Sequence, residues 1–268
     1  MKILMRYKIT SGRVVEKRDV LMEISEERRP RGGRKGKSTI RQVERNERES
    51  ALSLARFLNC NYRGGDLFLT LKYADGRLPP DRAAARRDLR NFIRRLARAY
   101  RKATGRTLIW AAVTADRSSK TGEEVRLHHH VVLYQMDYDV IAANWPAEEF
   151  SCRHLDDSGD YTAVARYMVR NAGYGRGEQC WSSAKKGAKR PVWSTPVPVR
   201  KAGAVRTPKE ARIVEREIHE SAERGFSAAY IRYVMPKELS DTTARAGTRA
   251  RAHTSEGGEK EDGDDLPV

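Results

Sequence analysis

Apolar residues alternate with polar ones at period two from Leu67 to Tyr73 (LFLTLKY), so that Leu67, Leu69, Leu71 and Tyr73 share one side just after the Gly64-Gly65 turn. That spacing predicts a strand. From Asp81 to Ala103 the spacing changes to three and four: Ala85, Leu89, Phe92, Ile93, Leu96 and Tyr100 form one stripe, arginines fill the other face, and Gly105 stops the run. This predicts an amphipathic helix. Thr107 to Ala115 and Arg126 to Tyr134 are β-rich and joined by a polar, Gly-containing loop, which predicts an antiparallel hairpin. A short helix over Asp139 to Trp145 stops at Pro146, a strand covers Phe150 to Leu155, and a helix covers Asp160 to Asn171. The order βαββαβ followed by a helix predicts an α+β fold: an antiparallel sheet with helices on one face, ferredoxin- or RRM-like, the opposite face open to a ligand. Thr207-Pro208-Lys209-Glu210 carries a capping box with proline at the first helical position, so a C-terminal helical extension is expected.

Composition divides the chain further. Residues 1–46 form an N-terminal segment whose stretch Arg28 to Lys37 (RRPRGGRKGK) is either a flexible arm that condenses on phosphates or a solvated linker. Residues 47–200 hold the central domain, 201–237 the accessory helical segment, and 238–268 an acidic tail expected to be disordered. The net charge of +17, from 53 Lys and Arg against 36 Asp and Glu, points to a polyanionic partner, nucleic acid first. Three scattered cysteines encode neither a zinc knuckle nor a disulfide framework. No apolar run approaches the roughly 18 residues that span a bilayer, and no signal-peptide core follows Met1, so a soluble cytoplasmic protein without a membrane partner is expected. No P-loop motif is present, so any unwinding falls to another protein.

Chemistry concentrates at His128-His129-His130. On a strand, His128 and His130 share the open face while His129 points with Leu127, Val131 and Leu133 into the core. Two imidazoles at i and i+2 either grip a divalent cation such as Mn²⁺ or hydrogen-bond to one another. On the later helix, Tyr161, Val164, Ala165 and Met168 follow the spacing of a buried stripe, and Tyr167 lies about 120° from Tyr161. Tyr161 is therefore structural and Tyr167 free to react, with Arg170 one turn on, able to hold a phosphate.

Together these residues resemble the HUH endonucleases, in particular rolling-circle replication initiators of plasmid and phage type. The first motif of that family, a strand of type F-L-T-L-T-Y, is similar to Phe68-Leu69-Thr70-Leu71-Lys72-Tyr73; the second, His-hydrophobic-His, to His128-His129-His130; the third, Tyr-x-x-Lys, to Tyr167-Met168-Val169-Arg170. Order and spacing agree from roughly Asn59 to Pro191, including a Ser- and Lys-rich stretch at Trp181 to Pro191. The resemblance implies a divalent cation, Mn²⁺ or Mg²⁺, on His128 and His130, and nucleophilic attack by Tyr167 on a scissile phosphate with Arg170 assisting. It implies a substrate of single-stranded DNA or a DNA hairpin at a replication origin, with host helicase and polymerase as partners.

Two departures matter. The family's third ligand is commonly acidic, yet Ala115 stands at the aligned position with Asp116 beside it; Asp116 serves only if a bulge turns it inward, and Glu123, Glu124 and His154 are weaker candidates. Arg170 replaces lysine, which keeps the charge but not the ammonium geometry. Candidate DNA contacts are Lys72, Arg117, Lys120, Arg126, Arg176, Lys185, Lys186 and Arg190. Two rival functions stay open: a related tyrosine transposase or relaxase, and a non-catalytic single-strand-binding protein whose histidines contact nucleotides.

Overall fold

The computed structural model describes residues 2–23, 39–118, 120–145, 148–172, 179–221 and 226–237. In chain order the elements are β1 (Lys2–Ser11), β2 (Val14–Glu23), α1 (Ile40–Asn61), β3 (Leu67–Tyr73), α2 (Arg82–Thr104), β4 (Trp110–Arg117) and β5 (Glu124–Leu133). They continue with α3 (Tyr138–Asn144), β6 (Glu148–His154), α4 (Thr162–Asn171), β7 (Ser182–Ser183), β8 (Val192–Trp193), β9 (Val197–Pro198), β10 (Arg212–Ser221) and β11 (Phe226–Val234). The α+β class expected from the pattern holds, with each expected element from Leu67 to Asn171 present within a few residues of its expected ends.

The central sheet has the antiparallel order β6-β3-β5-β4-β7. Strand alternation sends Leu67, Leu69, Leu71, Ala112, Val131 and Leu133 to one face, where they bury Leu89, Phe92 and Leu96 of α2 and Ile141 of α3. Asp81 caps α2 by accepting from the Ala84 N–H at 2.6 Å, and Gly105 ends it in the left-handed conformation at φ 69°. The second face is not open along its length. Ala111, Val113 and Val132 pack there against α1 (Leu54, Phe57, Leu58) and α4 (Ala165, Met168, Val169). Helices therefore flank both faces, because the even-numbered positions of β5 are as apolar at the Val132 end as the odd ones. Among the described residues, the His128 end of that face lacks an apolar cover.

The terminal segments depart most from expectation. Residues 2–23 form a hairpin, and in place of the accessory helix the chain after Ala211 forms β10 and β11. Thr207-Pro208-Lys209-Glu210 closes a turn in which the Ala211 N–H donates to the Pro208 carbonyl at 3.1 Å, so the capping signal is spent on a turn. The chain from Arg212 onward then forms a strand that pairs with β11, with a register shift between Ile213 and Glu215. The second sheet runs β10-β11-β2-β1-β8, with β9 also on β1, so it is knitted from both ends of the chain. Helix α1 crosses the expected boundary at residue 46 without a break. The basic arm at 28–37, Arg176 and the acidic tail lie outside the described residues.

Two features fasten this sheet to α1. Glu16 of β2 accepts from Arg56 of α1 through one edge of the guanidinium, Nε at 2.7 Å and Nη2 at 2.6 Å, and from the Tyr230 hydroxyl at 3.1 Å, all buried. Gly12, at φ 56° in the β1–β2 turn, lies against the Asn59 carbonyl so closely that a Cβ would stand 2.0 Å from its oxygen. Removing one partner of a buried, forked ion pair strands the other charge. Glu16→Ala is therefore expected to lower unfolding free energy by about 3–5 kcal/mol, whereas Asp75→Ala, which frees the exposed Arg126 pair, costs about 1 kcal/mol or less. Urea titration of the two variants beside wild type reads the difference; equal losses would mean that Glu16–Arg56 is not the fastening described.

Candidate active site

The site forms where β5 leaves the apolar core. Its register against β3 and β4 places Thr70 and Val113 beside His130, and Ala115 beside His128, all on the α4 side of the sheet. His129 faces the other way and is fully buried. One ring nitrogen, Nδ1, meets the Thr114 hydroxyl at 3.1 Å and the other, Nε2, the Tyr73 hydroxyl at 2.8 Å. Burial first, then the charges of His128 and Arg82, push its pKa down to about 3.

His128 and His130 present their Nε2 atoms to each other at 3.2 Å. Nδ1 of His128 donates to the Arg126 carbonyl at 2.8 Å, and Nδ1 of His130 lies 3.2 Å from the Thr70 hydroxyl. With its Nδ1 donating to that carbonyl, His128 carries its lone pair on Nε2; Nε2 of His130 donates to it in one tautomer and in the other joins it in facing a cation, as in a bidentate imidazole site. Burial lowers the proton affinity of both rings. His130 falls to about 3, helped by its two histidine neighbours, and His128 falls less because the Arg126 carbonyl and the Asp116 charge oppose burial. Both rings are thus neutral at pH 7 and able to act as ligands.

Tyr167 projects from the exposed side of α4 over this pair. Its ring centroid is 5.0 Å from that of His130 and 6.1 Å from that of Phe68, while Phe68 stacks on His130 at 5.3 Å and 22°. The tyrosine is 43 % exposed, open to a substrate from solvent. Tyr161 is structural, in keeping with its spacing: it is 2 % exposed, its hydroxyl donates to the Asp156 carbonyl at 3.1 Å, and burial raises its pKa to about 12.

The other expected residues are placed less uniformly. Asp116 sits at the register irregularity between Ala115 and Arg117 and binds Arg82 at the start of α2 at 2.5 Å. Its second oxygen, Oδ1, is buried without a hydrogen-bond partner in the protein. Among the described residues no three His, Cys, Asp or Glu side chains converge into a metal-holding group. The imidazole pair therefore fits a cation from one side only, and Asp116 supplies field and an unspent oxygen but not a ligand at its present position. Ala115 stands opposite His128 where a third ligand would come from. His154 pairs with Leu67 and so faces the α2 side, bound to the Gly65 carbonyl and the Tyr138 hydroxyl. Glu123 and Glu124 are exposed, in the hairpin loop and at the start of β5.

Arg170 extends toward Glu47 of α1 at 3.6 Å rather than to Tyr167. Lys72 pairs with Glu149 at 2.6 Å, and its charge acts on His128; Arg126 forks between Asp75 and the Tyr73 carbonyl on the strand that carries the histidines. Arg117 and Lys120 stand exposed at the β4–β5 hairpin end. Lys185 and Lys186 follow β7, which runs from Ala112 toward Trp110 and so away from Ala115, and Arg190 lies over the Phe57 ring at 5.9 Å. The structure thus gathers Lys72 and Arg126 with the imidazoles and leaves Lys185, Lys186 and Arg190 elsewhere. Sequence reading missed Thr70, which orients His130, and Arg153, which stands cross-strand from Phe68 on the same face. The pairing of β6 with β3 reveals Arg153; the strand pattern alone could not.

The chain matches no family model, no curated protein and no solved structure. No helix among the described residues is long and apolar enough to cross a membrane.

An unfolded histidine takes up a proton near pH 6.5, the folded His129 only near 3. Between those values the unfolded state binds more protons, so stability falls as pH drops from 6.5 toward 3, by about 1.4 kcal/mol per pH unit for this one group. Urea midpoints between pH 6.5 and 4.5, in chelator, are expected to fall more steeply for wild type than for His129→Gln. Parallel slopes would show that His129 is not held neutral.

Proposed function

We propose that this chain nicks and rejoins single-stranded DNA by transesterification on Tyr167, with a divalent cation on His128 and His130, as the initiator of a rolling-circle type of replication in the cytoplasm. The observation that carries the reading is the meeting of the tyrosine ring with the imidazole pair, 5.0 Å between the centroids of Tyr167 and His130. The two groups come from elements 37 positions apart in sequence and share no local reason to meet. Mn²⁺ or Mg²⁺, when bound, would polarise a non-bridging phosphate oxygen and stabilise charge that develops on it.

The remaining chemistry belongs to the side chains. The Tyr167 oxygen attacks phosphorus, the bond from phosphorus to the 3′-oxygen breaks, the phenol proton passes to solvent, and the leaving 3′-oxygen takes up a proton. A 5′-phosphotyrosyl ester and a free 3′-hydroxyl result, and reversal rejoins the strand without ATP. Lys72 and Arg126 flank the imidazoles with positive charge for the DNA backbone, and Arg170, in an exposed pair of small net worth, can exchange Glu47 for a phosphate. A transposase or relaxase would use the same groups on different DNA ends, which the sequence of the linked strand distinguishes.

A second reading is a single-strand-binding protein without catalysis. Ala115 opposite His128, with Asp116 held by Arg82, favours it. Incubation of an end-labelled single-stranded hairpin library with Mn²⁺ separates the two on a denaturing gel. Wild type is expected to give a protein-linked band that is absent in Tyr167→Phe and reduced at least about 100-fold in His128→Ala; library binding with no adduct would leave only the binding reading. In a companion test, Ala115→Asp places a carboxylate beside His128. It is expected to lower stability in chelator and to raise the melting temperature on Mn²⁺ addition more than in wild type. Absence of any Mn²⁺ response in either protein would remove the cation from the mechanism.

A further inference from the structure

A cleft of 510 Å³ opens between α2 and the β4–β7 edge, on the far side of the sheet from Tyr167. Its floor is apolar, with Leu89, Ile93, Trp110 and Trp181, and its rim carries Arg86, Arg90 and Arg94. An adjoining hollow of 290 Å³ is bounded by Arg82, Arg86, Arg87 and Arg90. Arg82, Arg86, Arg90, Arg94 and Arg98 recur at every fourth position, and Asp88, turned toward the Tyr73 hydroxyl, is the one acidic residue of α2. Like charges four residues apart weaken a helix slightly, and a polyanion along this ladder would relieve the repulsion. A rise of about 6 Å per step spreads the charges over a series of anionic groups instead of focusing them on one.

We infer that this cleft is a second binding site for single-stranded nucleic acid, in which phosphates follow the arginine ladder and a base enters against Trp110. The inference extends the proposed function, since it places the part of the strand that flanks the nick. An acidic polypeptide would satisfy the arginines but meets the Trp110 indole only where it carries an aromatic side chain, whereas every base has a π-face. The cleft adjoins the site around one strand: Val113 lines it and is the cross-strand neighbour of His130, and Thr114 lines it and binds His129. A strand passing over the β4 edge from the Tyr167 face therefore reaches the ladder directly.

Arg90 and Arg94 are both exposed, as are Arg101 and Arg106, which stand off the ladder. Equilibrium binding of a fluorescein-labelled single-stranded oligonucleotide, in chelator and over a range of salt, compares wild type with Arg90→Gln/Arg94→Gln and with the charge-matched Arg101→Gln/Arg106→Gln. Tryptophan emission is recorded in parallel with unlabelled oligonucleotide. The first pair is expected to flatten the dependence of log affinity on log salt by about 1.4, two contacts at about 0.7 each, and to diminish tryptophan quenching, while the second pair leaves both near wild type. Equal effects of the two pairs would reduce the ladder to general charge and overturn the inference. So would displacement of the oligonucleotide by polyglutamate with the same sensitivity to Arg90→Gln/Arg94→Gln, which would make the cleft a polypeptide site. Because no cation is present and no adduct is read, the outcome does not depend on whether Tyr167 reacts.

Discussion

The register of β5 is the constraint on which the site rests. His129 is held at both ring nitrogens, by Thr114 from β4 and Tyr73 from β3, inside the core under α2. A slip of one residue would exchange the faces of all three histidines and bury an unpartnered pair of imidazoles. Pinning the middle ring therefore aims the outer two. Thr70 and the Arg126 carbonyl then engage their Nδ1 edges, and the two Nε2 atoms face each other at hydrogen-bond distance.

Position of the tyrosine is settled by a different set of contacts, much of it from the chain ends. Arg232 of β11 donates to the Thr162 hydroxyl at 2.5 Å at the start of α4, and the Asn59 side chain of α1 accepts from the Tyr161 N–H at 2.8 Å. The sheet built from the two termini grips α1 through Glu16 and Arg56. The terminal strands thus hold the helix pair α1 and α4 over the central sheet, and with it the ring of Tyr167. A change far from the histidines can move the phenol through this linkage.

Helices on both faces explain why the site is a corner and not an open plane. The apolar end of β5 is covered by α1 and α4, so among the described residues the approaches lie at the His128 end and at the β4 edge. Lys72 and Arg126 border the first approach, and the arginines of α2 border the second. Positive charge is distributed accordingly, while the imidazoles between them are kept neutral by burial.

Local periodicity determined the elements from Leu67 to Asn171, because a buried face at period two or 3.6 is written in consecutive residues. It also separated His129 from His128 and His130, and Tyr167 from Tyr161, since both distinctions need only the geometry of one strand or one helix. The terminal hairpins were less legible: their strands, such as KILMRYKITS and RIVEREIHES, break the period-two pattern with adjacent apolar residues, and Thr207 to Glu210 forms a turn as readily as a helix start until β11 is in place to pair with β10. Only the tertiary structure decided that Tyr167 stands over His130, that Asp116 is drawn to Arg82, and that Arg153 shares the face of Phe68. Each of these depends on register or packing between distant segments, and such pairings have no period along the chain from which they could be read.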